Sequence, residues 1–257
     1  MGDLYFNQPR MSKNVRRILI ALVAVFFVHL LLKAFAGIDL TSVFGFVPRE
    51  FFGEYHLWQI FTYSFFHGSV AHLFFNGLVL FTIGTELEFR WGANRFLSYF
   101  IFCCTGGALL ESLLWASALL LSPESADRVG STVIIGASGG LYGLLAAFGM
   151  LYAESRVHVF MVFPLKAKYF VMILMGIEIA SVLSSSNDGV AHLAHLGGLG
   201  TGYLFLKIRG PNLDGRGGMG GFGKSRPMGR DEVRRRLNLI VNKDAESKNT
   251  KYPPTWN

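Results

Sequence analysis

The chain has 257 residues, of which 51% are hydrophobic and only 16% charged, with 24 Phe and a formal net charge of +7. A charged fraction this far below the roughly 25% of an average soluble domain excludes an ordinary water-exposed surface and points to a protein embedded in a bilayer. Two adjacent cysteines, Cys103 and Cys104, can neither staple the fold to each other nor offer metal-ligand spacing, so they read as packing residues.

Six apolar runs are candidates to cross a membrane: 18–36, 67–85, 96–121, 138–152, 169–183 and 190–208. The first also fits a signal peptide, with Arg16 and Arg17 before it and Ala34-Phe35-Ala36 at its end. That alternative removes one span and leaves the orientation of the others unchanged. With the N-terminus inside, only Lys33, Arg49 and Arg128 of the 24 Lys and Arg fall outside, as the positive-inside rule requires. The expected architecture is an all-α membrane protein with a six-transmembrane-helix bundle over 18–209 and both termini cytoplasmic. A cytosolic segment over 1–17 precedes the bundle, and a basic, Gly-rich cytosolic tail over 210–257 follows it. The outer loop 38–66 carries FFGEYHLWQIFTYSFF, whose aromatics suit the membrane interface. In the tail, RDEVRRRLNLIVNK reads either as a basic helix lying on anionic lipid or as a solvated segment. Membrane lipids are therefore expected partners. Nucleic acid is not, because charge asymmetry across the membrane accounts for the basicity.

Under this topology the second, fourth and sixth runs all descend from the outer face, so depths can be compared. At about 1.5 Å per residue, His72 lies about 7 Å below residue 67, and His195 lies at the same depth below residue 190. The fourth run spans about 21 Å of a core about 30 Å thick, so Ser138 starts about 9 Å inside if its lower end meets the cytoplasmic interface. Ser138, His72 and His195 thus share a level. Helical spacing places Asn76 on the face of His72 and Tyr142 on that of Ser138. Gly139 with Gly143, and Gly198 with Gly202, form G-x-x-x-G pairs that let two backbones approach closely in lipid.

A serine at the head of a helix has free N–H groups and the positive end of the helix dipole beside it, which suits an oxyanion formed by its attack on a carbonyl. His195 is the candidate base, His72 and Asn76 candidate oxyanion donors, and Tyr142 a support for the imidazole. Taken alone, Ser138 is more often a small residue in a tight helix contact, and His67 and His192 read as interfacial or interhelical hydrogen-bonding residues. His192 and His195 could begin a metal site with Glu178, Asp188 or His72, but so scattered a ligand set argues against any metal, and no cofactor is expected. Glu111 and Glu178 are costly in lipid and are expected to face the bundle, with no partner assigned.

At these residues the sequence resembles the rhomboid family of intramembrane serine proteases, from the loop preceding His67 to Ile208. The family's G-x-S-G stands as Gly136-Ala137-Ser138-Gly139, with Tyr142 at its tyrosine position. H-x-x-x-N stands as His72 to Asn76, with His67 as the additional upstream histidine. A-H-x-x-G-x-x-x-G runs from Ala194 to Gly202, and E-x-R is Glu88-Phe89-Arg90. Gly140 departs from the family's common alanine. The resemblance implies a Ser138/His195 dyad without an acidic third member and a support role for Gly136. It implies cleavage of the transmembrane segments of membrane-protein substrates near the outer face, in the plasma membrane of a bacterium. Two other readings are a non-catalytic, derlin-like relative that binds membrane clients, which would have lost the serine or histidine, and a small transporter, which would want a polar path to the inside.

Overall fold

A computed structural model of the chain describes residues 11–159, 163–184 and 190–210. Most of the 1–17 segment, Asp188 and the tail beyond Gly210 lie outside the described residues. Contacts divide the chain into a unit over 1–215 and a second over 216–257, the latter wholly outside them.

The described chain is mostly helical. A long helix α1 (Lys13–Ala36) is followed by three short ones, α2 (Thr41–Phe44), α3 (Pro48–Gly53) and α4 (Gln59–Thr62), in the loop that links it to the next long element. There α5 (Val70–Val79) runs through a π turn (Leu80–Gly84) into α6 (Thr85–Trp91). Next come α7 (Ala93–Leu121), α8 (Pro123–Gly130) and α9 (Ser138–Leu151), then a hairpin of β1 (Arg156–Val159) and β2 (Phe163–Lys166), and finally α10 (Ala167–Leu183) and α11 (His192–Arg209). Lys13–Ala36, Val70–Trp91 and Ala93–Leu121 are long and apolar enough to cross a membrane, and Ser138–Leu151 is a shorter apolar helix.

Two details differ from the sequence expectation. The second run does not begin its helix at residue 67: Ser69 is the N-cap and accepts from the His72 N–H at 3.1 Å, leaving His67 in the turn before. The link after α9 is an antiparallel hairpin with Arg156 opposite Lys166, so the fold is not purely helical. Beside it Glu154 lies between Lys166, 2.8 Å away, and Lys168, and the two ammonium groups hold its carboxyl down to about 2.

The first turn of α1 is fastened from a distance. The buried Glu88 carboxylate of α6 accepts from Ser12 Oγ at 2.6 Å and from the Asn14 and Val15 N–H groups, both at 2.9 Å. A carboxylate there satisfies donors that a helix start leaves orphaned and complements the positive end of the dipole. Val15 and Leu22 of α1 then join Leu87, Phe96, Tyr99, Leu144 and Leu206 in the main core.

Helix α11 packs among α7, α9 and α10, and glycine makes this possible. A Cβ on Gly198 would stand 1.8 Å from Gly139 O, and one on Gly202 would stand 2.9 Å from Gly143 Cα. On the other side, a Cβ on Gly197 would lie 2.6 Å from Gly106 O. Tyr63 and Tyr99 bridge the same helices, donating to Cys104 O and Gly143 O, each at 2.7 Å. Cys103 and Cys104 are free thiols buried in this packing.

Candidate active site

The seam between α9 and α11 sets the site. Ser138 is the first residue of α9, so its Oγ stands at a helix start, and His195 is in the first turn of α11. Because the backbones meet at Gly139 and Gly198, Ser138, just before the first, and His195, about one turn before the second, reach each other: His195 Nε2 is 2.8 Å from Ser138 Oγ. Tyr142 lies flat on the imidazole of His195, with centroids 4.4 Å apart and planes 9° apart.

Gly136 precedes the serine with φ +123°, a backbone conformation that a side chain would strain, and its N–H donates to Tyr63 O at 3.0 Å. A Cβ there would sit 2.9 Å from His72 Cε1 and Nε2 and 3.5 Å from Ser138 Oγ. The absent side chain therefore lets the His72 ring close over the serine. Asn76 does not meet His72 directly. Its Nδ2 is 2.9 Å from Nε2 of the buried His67, whose ring meets His72 edge-on at 4.8 Å. Ser69, His72, Ser138, Tyr142, His192 and His195 all line one cavity of about 1210 Å³, walled by Phe75 and Val79 of α5 and by Phe170 and Leu174 of α10.

Both membrane carboxylates have partners. Glu111 Oε1 accepts from the Ala194 N–H at 3.2 Å, at the start of α11. Glu178 of α10 accepts from the Tyr142 hydroxyl and lies 2.6 Å from His192 Nδ1 and 3.0 Å from His195 Nδ1. The last contact is within ion-pair distance but off the direction of a well-formed hydrogen bond. Glu178, His192 and His195 thus bring one donor atom each within 4.8 Å of the others. Sequence reasoning left Glu178 without a partner, although a signal was present. In the topology expected from the sequence the fifth run would ascend, with Glu178 five residues below its upper end at 183, about 7 Å down and level with His72 and His195.

The family profile for the Rhomboid domain matches residues 54–212. The chain belongs to the rhomboid family. This rhomboid is 28% identical over 185 residues to Rhomboid-like protein 15 of Arabidopsis thaliana, covering 72% of this chain and 45% of that protein. It is 28% identical over 221 residues to the mitochondrial Rhomboid protein 1 of Saccharomyces cerevisiae, covering 80% of this chain and 60% of that one. Against the Rhomboid protease AarA of Providencia stuartii it is 28% identical over 143 residues, 54% of this chain and 50% of the protease. The chain thus spans between 45% and 60% of these relatives' lengths. They come from a plant, a mitochondrion and a bacterium, so they support an integral membrane protein without singling out a bacterial plasma membrane.

Proposed function

We propose that this rhomboid is an intramembrane serine endopeptidase that cleaves transmembrane segments of membrane proteins. The observation that carries the reading is the 2.8 Å contact between Ser138 Oγ and His195 Nε2 at the start of α9, inside the cavity. Ser138 Oγ attacks the carbonyl carbon of the scissile bond while its proton passes to His195 Nε2, and the C=O electron pair moves onto oxygen. The oxyanion collapses, the C–N bond breaks, and His195 returns the proton to the leaving amine. Water then attacks the acyl-serine by the same route, releasing the new carboxylate and restoring the hydroxyl.

The oxyanion is held by the N–H groups at the start of α9 and by His72. Asn76 contributes its second amide N–H, the first being spent on His67. Gly136 supports the site by leaving room for the His72 ring. A substrate helix enters between α5 and α10, where the cavity wall is apolar. The full proposal has six membrane-crossing helices, α1, α5 continuing into α6, α7, α9, α10 and α11, with both ends of the chain on the cytoplasmic side and the site opening near the outer face. The decisive experiment is fluorophosphonate labelling of the purified chain: the wild type is labelled and Ser138→Ala is not. Equal labelling of the two overturns the reading.

A further inference from the structure

The dyad chemistry leaves Glu178 unused, yet this carboxylate is buried in an apolar helix that gains nothing from it in packing. An ionisable group at membrane depth is expensive and marks function when its partners are themselves functional. Two of the partners here, Tyr142 and His195, belong to the proposed chemistry, and His192 does not. Oε1 of the carboxylate lies on the Tyr142 hydroxyl and near His195 Nδ1, while Oε2 lies on His192 Nδ1. We propose that Glu178 is a positioning residue for His195, the acidic member of a Ser138–His195–Glu178 line. The inference rests on the protease reading.

The argument follows the protons. For His195 Nε2 to take the serine proton it must be unprotonated, so the neutral ring carries its hydrogen on Nδ1. That nitrogen faces Glu178 Oε1 at 3.0 Å, and the ring's other side faces Ser138 Oγ at 2.8 Å. Hydroxyl, imidazole and carboxylate therefore stand in the order in which an acid selects the productive tautomer and stabilises the imidazolium formed when Nε2 is protonated. The proton stays on the imidazole, and Glu178 only accepts a hydrogen bond. Tyr142 completes the frame, because its ring lies on the imidazole while its hydroxyl holds the same carboxylate oxygen. The Nδ1 contact is imperfectly aligned here, and contacts of this kind tighten when substrate binds. A metal would need its two nearest donors about 3.4 Å apart around one ion, whereas the carboxylate sits 2.6 Å and 3.0 Å from the two imidazoles, at hydrogen-bond and ion-pair distances.

The test uses the full chain in detergent with a cleavable transmembrane substrate, measuring kcat, KM, melting temperature and fluorophosphonate labelling rate. Glu178→Gln is expected to lower kcat and labelling on the order of 10²- to 10⁴-fold with KM and melting temperature little changed, and Glu178→Asp to recover part of the loss. His192→Gln, which keeps the carboxylate, is expected to retain kcat within a few-fold. Wild-type kcat in Glu178→Gln, or an equal loss in His192→Gln, overturns the proposal. If Glu178→Gln does not fold, the fluorophosphonate adduct of the wild type decides: a far-downfield proton coupled to His195 Nδ1 in isotope-labelled protein supports the line, and its absence overturns it. A wild type that is never labelled overturns the protease reading itself, and the proposal with it.

Discussion

In the proposed mechanism Ser138 and His195 hand one proton back and forth, so losing either should cost about as much as losing both. Ser138→Ala, His195→Ala and the double variant are expected to share one residual rate, measured on a detergent-solubilised substrate. An additive double loss would mean that the two side chains work separately. His72 is a different case, because its ring stands over the serine without touching the proton path. If His72 is the oxyanion donor proposed above, His72→Ala should lower kcat on the order of 10²- to 10³-fold with a modest change in KM. The sequence put Ser138, His72 and His195 together by their expected depth, and the structure has Ser138 at a helix start lining one cavity with both histidines. The sequence hid the pairing of Asn76 with His67, since that contact joins a helix to the turn before it and obeys no helical spacing. It placed Glu178 toward the bundle but hid which side chains Glu178 meets, because α10 exposes apolar residues over much of its surface and has no polar stripe to mark one neighbour.

At the scale of the helix, two glycines of α11 separate packing from chemistry. A Cβ on Gly198 would stand 1.8 Å from the Gly139 carbonyl, whereas one on Gly200 meets nothing within 4 Å. Gly198→Ala should push α9 and α11 apart, destabilising the fold by about 1–3 kcal/mol or more and separating Ser138 from His195. Gly200→Ala should stay active and gain stability, since alanine is favoured over glycine within a helix by about 1 kcal/mol. Thermal melting and turnover of the two variants check both statements, and equal behaviour would contradict the glycine seam. The G-x-x-x-G pairs made this crossing legible in advance, because two small residues one turn apart have a single use in lipid. The contact of Gly106 and Gly107 in α7 with the far side of α11 was not legible, as these glycines lack that spacing.

At the scale of the whole molecule, the described residues surround a polar site with apolar walls, which under the proposed protease reading constrains what could be cut. A peptide bond inside a substrate helix has its carbonyl tied into the i to i+4 ladder, so it reaches Ser138 only after local unwinding. Gly and Pro weaken a helix by about 1 and 3 kcal/mol relative to Ala, so substrates carrying them beyond the scissile bond should be cut faster than leucine-rich versions. Cleavage assays on a matched pair of substrates test this, and equal rates would remove the unwinding requirement. Beside Ser138 the backbone at Gly136 would leave a Cβ only 2.9 Å from His72, so within the larger cavity Phe immediately before the scissile bond should block cleavage there. Both the membrane class and the order of helices were legible at this scale, because composition and run length are whole-chain properties. The hairpin after α9 was not, since its residues alternate too briefly to announce strands.

The hold of Glu88 on Ser12, Asn14 and Val15 also imposes an order of assembly during synthesis. A chain emerging from the ribosome presents α1 to the bilayer more than 70 residues before the carboxylate that satisfies its first turn exists. Until then the start of α1 depends on water and headgroups for its hydrogen bonds, so it waits at the membrane surface rather than docking. Nascent chains stalled just short of residue 88 should therefore leave α1 open to lipid-side crosslinkers, and chains stalled after α7 has emerged should protect it. A full-length Glu88→Ala chain, which keeps the core packing of Val15 and Leu22, should leave only the first turn of α1 open to such crosslinkers.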